Sequence, residues 1–456
     1  MKRNTVIGFF SIIISLVIAF SCTLISFAEG EPVNQPTPDA VNVNASTKVE
    51  ETITAIKEVK TELICISKYG NTVNYPENSA EGILAAAESG ADMILVKVKR
   101  TADNQIVLVS DSNLAEICVD KDGNPINKDV SQIDYNELKT YFLRNGRVLT
   151  QEIMTAYAVP TLKQVIELLD KRAVLLIEDG WEYRNEIYDI LSECDALSYN
   201  AILTDAKKSS ISRWLASKQS APLIVTKYDG TVVWNSRSYI RKSAALGAIG
   251  VLLSNNNAYS TTFSKSTVGK TNGKLRAAID MTDPELCGNR QDTALYWDDV
   301  TSRGFSMIIT NNIEQFIEYR IRVEEARKTL ENLIVKVSEL DLTLFSSASS
   351  GALKTSIEKA DFAAKNSVSA MELDNAYISL SSAYNNLKEK GEKDNGSTTY
   401  TAGRIVAAIT VTVILILMEL AFEILRNKSI ALRKNGKKLF FSNKKKRKKK
   451  NTINFE

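Results

Sequence analysis

The stretch Leu63–Asp111 decides the fold of this 456-residue chain. It reads, in order, L-I-C-I-S-K-Y-G (Leu63–Gly70), Y-P-E-N-S (Tyr75–Ser79), G-A-D-M-I-L-V-K-V-K (Gly90–Lys99) and D-N-Q-I-V-L-V-S-D (Asp103–Asp111). Short apolar runs, separated by a turn and by a helical pattern, predict a strand, a helix and two further strands. The link from Val98 to Ile106 is too short for a parallel crossover, so the third strand is predicted to fold back on the second.

Strand and helix candidates alternate through the rest of residues 60–320. The further strand candidates are Ala173–Ile177, Ala201–Thr204, Pro222–Thr226, Gly250–Leu253, Leu275–Met281 and Ser306–Thr310. This alternation indicates an α/β fold with a parallel sheet. A length of about 260 residues favours a TIM-type (β/α)8 barrel, for which ~250 is typical. A doubly wound open sheet is the alternative, weakened because no G-x-G-x-x-G follows the first strand.

Charge and composition exclude several classes of protein. The net charge is +3, but thirteen Lys or Arg and one acid follow Leu425, so an acidic body precedes a basic tail. Binding of nucleic acid by the body is therefore not expected, because it requires clustered cations. The chain has no histidine, which excludes imidazole acid–base catalysis and imidazole metal ligands. Its five cysteines include no C-x-x-C pair, so a zinc site is not expected.

The two ends of the chain predict a membrane protein. Residues 1–28 read as a signal peptide, with an uncleaved anchor or a lipoprotein cleavage at Cys22 as alternatives. Residues 404–425 are long enough to span a bilayer, and the basic tail would then lie in the cytoplasm and the body outside the cell. The run Lys444–Lys450 predicts contact with anionic lipid. The expected localisation is thus a single-pass protein of the cell membrane.

After the predicted barrel, continuous helical periodicity from residue 321 to 390 predicts a small three-helix bundle. The sequence D-N-A-Y-I-S-L-S-S-A-Y-N-N-L (Asp374–Leu387) resembles the FIVAR module of bacterial surface proteins. The predicted organisation is a signal peptide (1–28), a linker (29–59), the barrel (60–320), the FIVAR-like bundle (321–390), a linker (391–403), a transmembrane helix (404–425) and a basic cytoplasmic tail (426–456).

The body resembles the glycerophosphodiester phosphodiesterase family. The family's P-E-N-T is matched by Pro76–Ser79, and its G-A-D by Gly90–Asp92. Its P-T-L is matched by Val159–Leu162, and its I-E-x-K by Ile177–Gly180, where the acid is kept and the Lys is lost. The resemblance implies a TIM barrel and hydrolysis of phosphodiesters, with one divalent metal and two catalytic His.

The residues that would perform this chemistry differ in the present chain. The resemblance places Ser67 and Ser110 at the two catalytic His positions, and Leu95 and Lys97 at two of three metal-ligand positions. Glu178 is the retained ligand. A serine hydroxyl is not a base near neutral pH, and a leucine offers no oxygen to a hard cation. The sequence therefore favours a catalytically inactive member, or pseudoenzyme.

The ammonium of Lys97 is predicted to replace the metal ion and to pair with Glu178, because a buried carboxylate is costly unless paired. The alternative is that Lys97 points to solvent, since a one-residue register shift turns side chains to the other face. Lys68 is a candidate to hold an anion. Glu77 either caps its loop or reaches a ligand.

Three further side chains complete the candidate site. Trp181 and Trp234 follow predicted strands, and each either stacks on a sugar or packs at the rim. Asp111 completes the set, because it follows the third strand and could join Glu178 in holding a divalent metal, though only weakly.

Three functions stay open. The favoured one is a membrane-anchored extracellular binding or scaffold module without activity. The alternatives are an active phosphoric diester hydrolase of lipid or glycerophosphodiester metabolism with a non-standard site, and a structural cell-surface spacer. No cofactor is expected outside the hydrolase alternative. The expected partners are the membrane and a cell-wall glycan or phosphodiester ligand, and nucleic acid is not expected.

Overall fold

The computed structural model describes residues 45–59, 61–144, 155–229 and 235–390. The strands are β1 Ile64–Lys68, β2 Met93–Arg100, β3 Ile106–Leu108, β4 Cys118–Val119, β5 Phe142–Leu143, β6 Val174–Glu178, β7 Ala201–Thr204, β8 Leu223–Asp229, β9 Gly250–Ser254, β10 Arg276–Asp280 and β11 Phe305–Thr310. The α-helices are α1 Ala45–Lys57, α2 Ala80–Glu88, α3 Tyr135–Leu138, α4 Leu162–Leu169, α5 Arg184–Glu193, α6 Lys208–Ala216, α7 Ser236–Ala245, α8 Lys265–Val268, α9 Ala294–Ser302, α10 Ile313–Ser338, α11 Ser347–Asn366 and α12 Ala370–Asn385.

Eight parallel strands close into a barrel. Their order is β1-β11-β10-β9-β8-β7-β6-β2, and β2 pairs again with β1. In register, Ile66 lies opposite Met93 of β2 and Ile309 of β11. The predicted TIM-type barrel is confirmed, and the open-sheet alternative is wrong. The predicted return strand is also confirmed, because β3 pairs with β2 in antiparallel orientation.

The barrel interior is filled by alternate apolar residues of its strands, as expected where side chains alternate between two faces. Ile66, Leu95 and Leu176 are at most 1% exposed and belong to this core. Their strands are buried on both faces because helices cover the outside, which explains the continuous apolar runs in the sequence.

Helix α1 closes the end of the barrel at which the strands begin. Val49, Ile53 and Ile56 of α1 belong to the same core cluster as the inward-facing strand residues. Arg276, the first residue of β10, donates to the backbone oxygen of Ala55 at 2.8 Å. The interval 29–59 was predicted to be a linker, but residues 45–57 form a helix, because their apolar residues recur at helical spacing and find a surface to cover.

Three helices follow the barrel, and the predicted boundary at residue 320 lies inside α10. The described chain divides into one unit of residues 45–339 and 355–382 and a second of residues 340–354 and 383–390. Within the first unit, Arg327 donates to the oxygen of Ser367 at 2.8 Å, and Ser369 donates to Asp298 of α9 at 3.0 Å. Within the second, the backbone N–H of Ser346 donates to the oxygen of Lys388 at 2.7 Å. The FIVAR-like module stays a prediction.

Within the described ranges, no helix has both the length and the apolar character that a membrane span requires. This finding contradicts the predicted localisation as a single-pass protein of the cell membrane with an extracellular body. The segments on which that prediction rested are the signal peptide (1–28), the transmembrane segment (404–425) and the basic tail (426–456). All three lie outside the described residues.

Candidate functional site

A cavity of about 500 Å³ opens where the barrel strands end, and it is called the mouth cavity below. It is lined by Lys68, Tyr69, Thr72, Glu77, Leu95, Lys97, Glu178, Lys227, Leu252, Asp280, Thr282, Asp283, Pro284, Leu286 and Asn311. This is the end of a TIM barrel at which the loops build active sites. The strands therefore bring together side chains that lie more than 200 residues apart in the sequence.

The loop between β1 and α2 is shaped by residues that tolerate unusual backbone conformations. Gly70 has φ +94°, and a Cβ there would lie 2.7 Å from the carbonyl carbon of Gly82. Asn78 also has a positive φ, of 59°. Its side chain accepts from the backbone N–H of Lys97 at 3.1 Å, which ties the loop to β2. Ser79 caps α2 by accepting from the N–H of Gly82.

The two serines at the former His positions are held by internal partners. Ser67 is fully buried, and its hydroxyl donates to the backbone oxygen of Gly70 at 2.9 Å. Ser110 donates to the carboxylate of Glu77 and accepts from the side chain of Asn78 at 3.2 Å. Glu77 thus lines the cavity while it fixes Ser110. Ser67 has no general base among these partners, because a backbone carbonyl oxygen is not a base near neutral pH. Ser110 is held on the carboxylate of Glu77.

Glu178 pairs with a lysine that the sequence did not indicate. The ammonium of Lys227 on β8 donates to Glu178 Oε1 at 2.7 Å, and Tyr69 donates its hydroxyl to Oε2 at 3.2 Å. Burial alone would lower the pKa of Lys227, but the charge of Glu178 and its hydrogen bond outweigh burial and raise it. Burial, and then the charge of Glu178, raise the pKa of Tyr69, so this hydroxyl stays protonated.

The predicted pair of Lys97 with Glu178 is corrected by this arrangement. Lys97 and Glu178 are neighbours in the register of β2 and β6, as expected. The Lys97 ammonium nevertheless lies 3.7 Å from Asp179, which also accepts from Lys99 at 3.0 Å. Burial would raise the pKa of Asp179, but Lys99 and Lys97 lower it. Lys97 lines the cavity rather than pointing away from it, so the register shift considered above does not occur.

A second ion pair closes the opposite wall of the cavity. Lys68, at the end of β1, donates to Asp280 Oδ2 and to the hydroxyl of Thr282, both at 2.8 Å. Asp280 ends β10 and also accepts from the backbone N–H and the hydroxyl of Thr282. Lys68 is therefore fixed at the mouth by a carboxylate partner that the sequence did not indicate, and its role in holding an anion stays a prediction. The sequence signal that could have indicated this partner was Asp280, a charged residue at the end of the mostly apolar strand β10.

The remaining predicted residues lie elsewhere. Trp181 lines an adjoining pocket of about 460 Å³, which shares Glu178 and Lys227 with the mouth cavity. Its ring packs edge-on against Trp214, at 5.4 Å between centroids. Asp111 follows β3 and is not among the residues that line either pocket. Trp234 lies outside the described residues.

The side chains at the mouth do not fit a divalent metal ion. Such an ion needs several oxygen ligands. Glu178 is already neutralised by Lys227, and Asp280 by Lys68. Leu95 and Lys97 offer no oxygen. Across the described ranges, no group of three or more acidic, cysteine or histidine side chains is placed to hold a metal ion.

Several solved structures are similar to part of this chain. No curated protein sequence matches this chain. A glycerophosphodiester phosphodiesterase structure from Agrobacterium tumefaciens is 15% identical, covering 56% of this chain and 98% of that one, with a TM-score of 0.42. A glycerophosphoryl diester phosphodiesterase structure from Parabacteroides distasonis is 15% identical, covering 59% of this chain and 90% of that one, with a TM-score of 0.46. A glycerophosphodiester phosphodiesterase structure from Thermotoga maritima is 16% identical, covering 56% of this chain and 98% of that one, with a TM-score of 0.42. The assignment of the fold rests on the closed strand order.

The sequence comparison covers seven of the fifteen residues that line the mouth cavity. Residues 70–261 match the model of the glycerophosphoryl diester phosphodiesterase family. The match includes Glu77, Lys97, Glu178 and Lys227, but not Lys68 or Asp280. Residues 70–261 of this chain are therefore similar to the glycerophosphoryl diester phosphodiesterase family.

Proposed function

We propose that this barrel is a catalytically inactive phosphodiesterase-like domain that binds a small polar ligand at its mouth. The observation that carries the proposal is the pairing of Glu178 with Lys227. The resemblance gives Glu178 as a metal ligand. In this chain the ammonium of Lys227, rather than a metal ion, lies 2.7 Å from Glu178 Oε1.

The acid–base positions support the same proposal. Cleavage of a phosphodiester needs a group that takes up a proton and a group that releases one. Ser67 donates to a backbone oxygen, and Ser110 is held between Glu77 and Asn78. Tyr69, whose hydroxyl donates to Glu178, has a pKa raised by burial. The hydroxyls of Ser67, Ser110 and Tyr69 can therefore position a ligand, but they do not ionise near neutral pH.

A hydrolysis assay tests the proposal. The full chain is incubated with glycerophosphocholine or bis-p-nitrophenyl phosphate, with added Ca²⁺ or Mg²⁺, and product formation is measured. We expect no turnover above that of a buffer blank. Turnover that Glu178→Gln abolishes would contradict the proposal, because Glu178 would then act in catalysis. Glu193→Gln is the matched control, since Glu193 lies on the exposed face of α5 and pairs with Lys163.

A further inference from the structure

The cations of the mouth cavity belong to the protein itself. Lys68, Lys97 and Lys227 come from β1, β2 and β8, and all three line the cavity. Two of them touch carboxylates at hydrogen-bond distance, and the third lies 3.7 Å from Asp179. Three separate strands thus deliver positive charge to one space, where a divalent ion would be the expected cation of a related enzyme.

The carboxylates at the mouth already accept hydrogen bonds. Glu178 accepts from Lys227 and Tyr69, and Asp280 accepts from Lys68 and from Thr282. These bonds compensate the charges of Glu178 and Asp280. Glu77 and Asp283 also line the cavity, so its wall carries four carboxylates and three ammonium groups. Glu77 accepts from Ser110, and Asp283 accepts from the backbone N–H of Glu285 at 2.9 Å.

The lysines retain donors. An ammonium group has three N–H donors, and the bond of Lys227 to Glu178 uses one. Lys68 uses two, on Asp280 and Thr282. The ion pair of Lys97 is too long for a hydrogen bond. The cavity therefore still offers donors from positively charged groups, which an acceptor-rich anion would satisfy.

We infer that the Lys227 ammonium takes the place of a divalent cation, and that Lys227, Lys68 and Lys97 bind an oxyanion such as a phosphate ester without a metal ion. The inference rests on the non-hydrolytic function proposed above and names the chemistry of its ligand.

A lysine ammonium binds an oxyanion in a different way from a divalent metal ion. Lysine binds phosphate as a point charge, and its bonds to an oxyanion are charge-assisted. It neutralises Glu178 as a metal would, but it holds no water that could become a nucleophile. Binding without cleavage is the consequence. The raised pKa of Lys227 keeps this cation charged throughout the neutral range.

Calorimetry with the full chain tests the inference. sn-Glycerol 3-phosphate and inorganic phosphate are titrated in EDTA, and again with Ca²⁺ or Mg²⁺. We expect binding in EDTA, with an affinity that either metal changes less than about twofold. Lys227→Met should weaken binding by about tenfold or more, since it removes a charge-assisted bond. Lys163→Met, on the exposed face of α4, is the matched control and should bind as the wild type does.

A double variant distinguishes two causes of weaker phosphate binding, which are the loss of the Lys227 ammonium and damage to the fold. Lys227→Met leaves Glu178 unpaired, so its defect could be structural. In Lys227→Met/Glu178→Gln both charges are absent, and the fold should recover. The weakened phosphate binding should nevertheless persist in the double variant. Recovery of binding to the wild-type affinity would overturn the inference.

The remaining outcomes are equally decisive. Binding that requires Ca²⁺ or Mg²⁺ would overturn the inference, as would binding of a neutral glycan but not of phosphate. Failure of phosphate to bind, without any hydrolysis, would refute the lysine site and leave the proposed inactive domain standing. Hydrolysis in the separate assay would refute the proposed function itself.

Discussion

The two ends of the barrel use charge in opposite ways. At the closed end, Asp92 is 7% exposed, accepts from the backbone N–H of Cys65 at 2.8 Å and pairs with Arg320 at 2.6 Å. At the open end, Lys227 and Lys68 pair with carboxylates that line a cavity. Asp92 and Arg320 also line a cavity, of about 610 Å³, beside α1. There Asp92 joins the backbone N–H of Cys65 on β1 to Arg320 on α10, whereas at the open end lysines from three separate strands line one cavity. Charge at the closed end therefore joins β1 to α10, and charge at the open end gathers three ammonium groups around one cavity.

The largest expected effect comes from the closed end. Asp92→Ala removes the partner of Arg320 and of the Cys65 N–H, so we expect a loss of about 3–5 kcal/mol in the free energy of unfolding. Urea unfolding measures this loss. Asp374→Ala is the control, because the Arg322–Asp374 pair is exposed and should contribute about 0–1 kcal/mol. If both variants lose the same amount, the closed end has no special role in stability.

A smaller effect is expected at the open end. Lys227→Met leaves the carboxylate of Glu178 without its cation, so it should cost about 2 kcal/mol. This is less than at the closed end because Glu178 keeps the hydroxyl of Tyr69 as a donor. In a double-mutant cycle with Glu178→Gln, we expect a coupling energy of about 1–2 kcal/mol.

The same cycle with Lys97 distinguishes the observed pair from the one predicted from sequence. Lys97→Met and Glu178→Gln should show a smaller coupling energy than Lys227→Met and Glu178→Gln, because Lys97 pairs with Asp179. Unfolding in urea at one pH measures both cycles. A larger coupling for Lys97 would restore the sequence-based pairing and refute the one described here.

The smallest effect is a pH dependence near the open end. The ammonium of Lys208, at the start of α6, lies 3.7 Å from the centre of the Tyr239 ring, and burial lowers its pKa from 10.5 to about 8 despite the charge of Asp205. Between pH 8 and 10.5 the unfolded chain holds this proton more tightly, so stability should rise with pH. We expect a rise below about 1 kcal/mol, because the side chain is only partly buried.

Lys208→Met tests the origin of that rise. The difference in the free energy of unfolding between wild type and variant is measured at pH 7.5, 8.5 and 9.5. The free energy of unfolding of the wild type should rise relative to that of Lys208→Met as the pH increases, because the variant has no ammonium group to deprotonate. A constant difference across this range would show that the Lys208 ammonium is not destabilised in the folded chain.

The sequence predicted the barrel because its strands are locally recognisable. Each is a short apolar run between turn residues, and the short link after Val98 correctly indicated an antiparallel return. Residues that shape the backbone, such as Gly70 and Asn78, could also be placed, since their conformations are nearly specific to their residue types.

The ion pairs of the mouth could not be predicted in the same way. Lys227 and Glu178 are 49 residues apart, and their contact depends on how far a flexible side chain reaches across the barrel. The family resemblance pointed to Lys97, which is also the neighbour of Glu178 across the strand pair. Lys227 also lay beyond the predicted end of its strand at Thr226, whereas β8 continues to Asp229. Geometry across the barrel, rather than spacing along the chain, decides which lysine meets the carboxylate.

Helix α1 sets a limit on how this domain can be divided. The family match begins at residue 70, yet Val49, Ile53 and Ile56 already belong to the barrel core. A fragment cut at the start of the match would lose β1 and leave the ring of strands open. A fragment cut just before β1 would keep the ring of strands, but without α1 the apolar residues at the start of the strands would be exposed to solvent. The smallest part of this chain that folds as a barrel should therefore include Ala45.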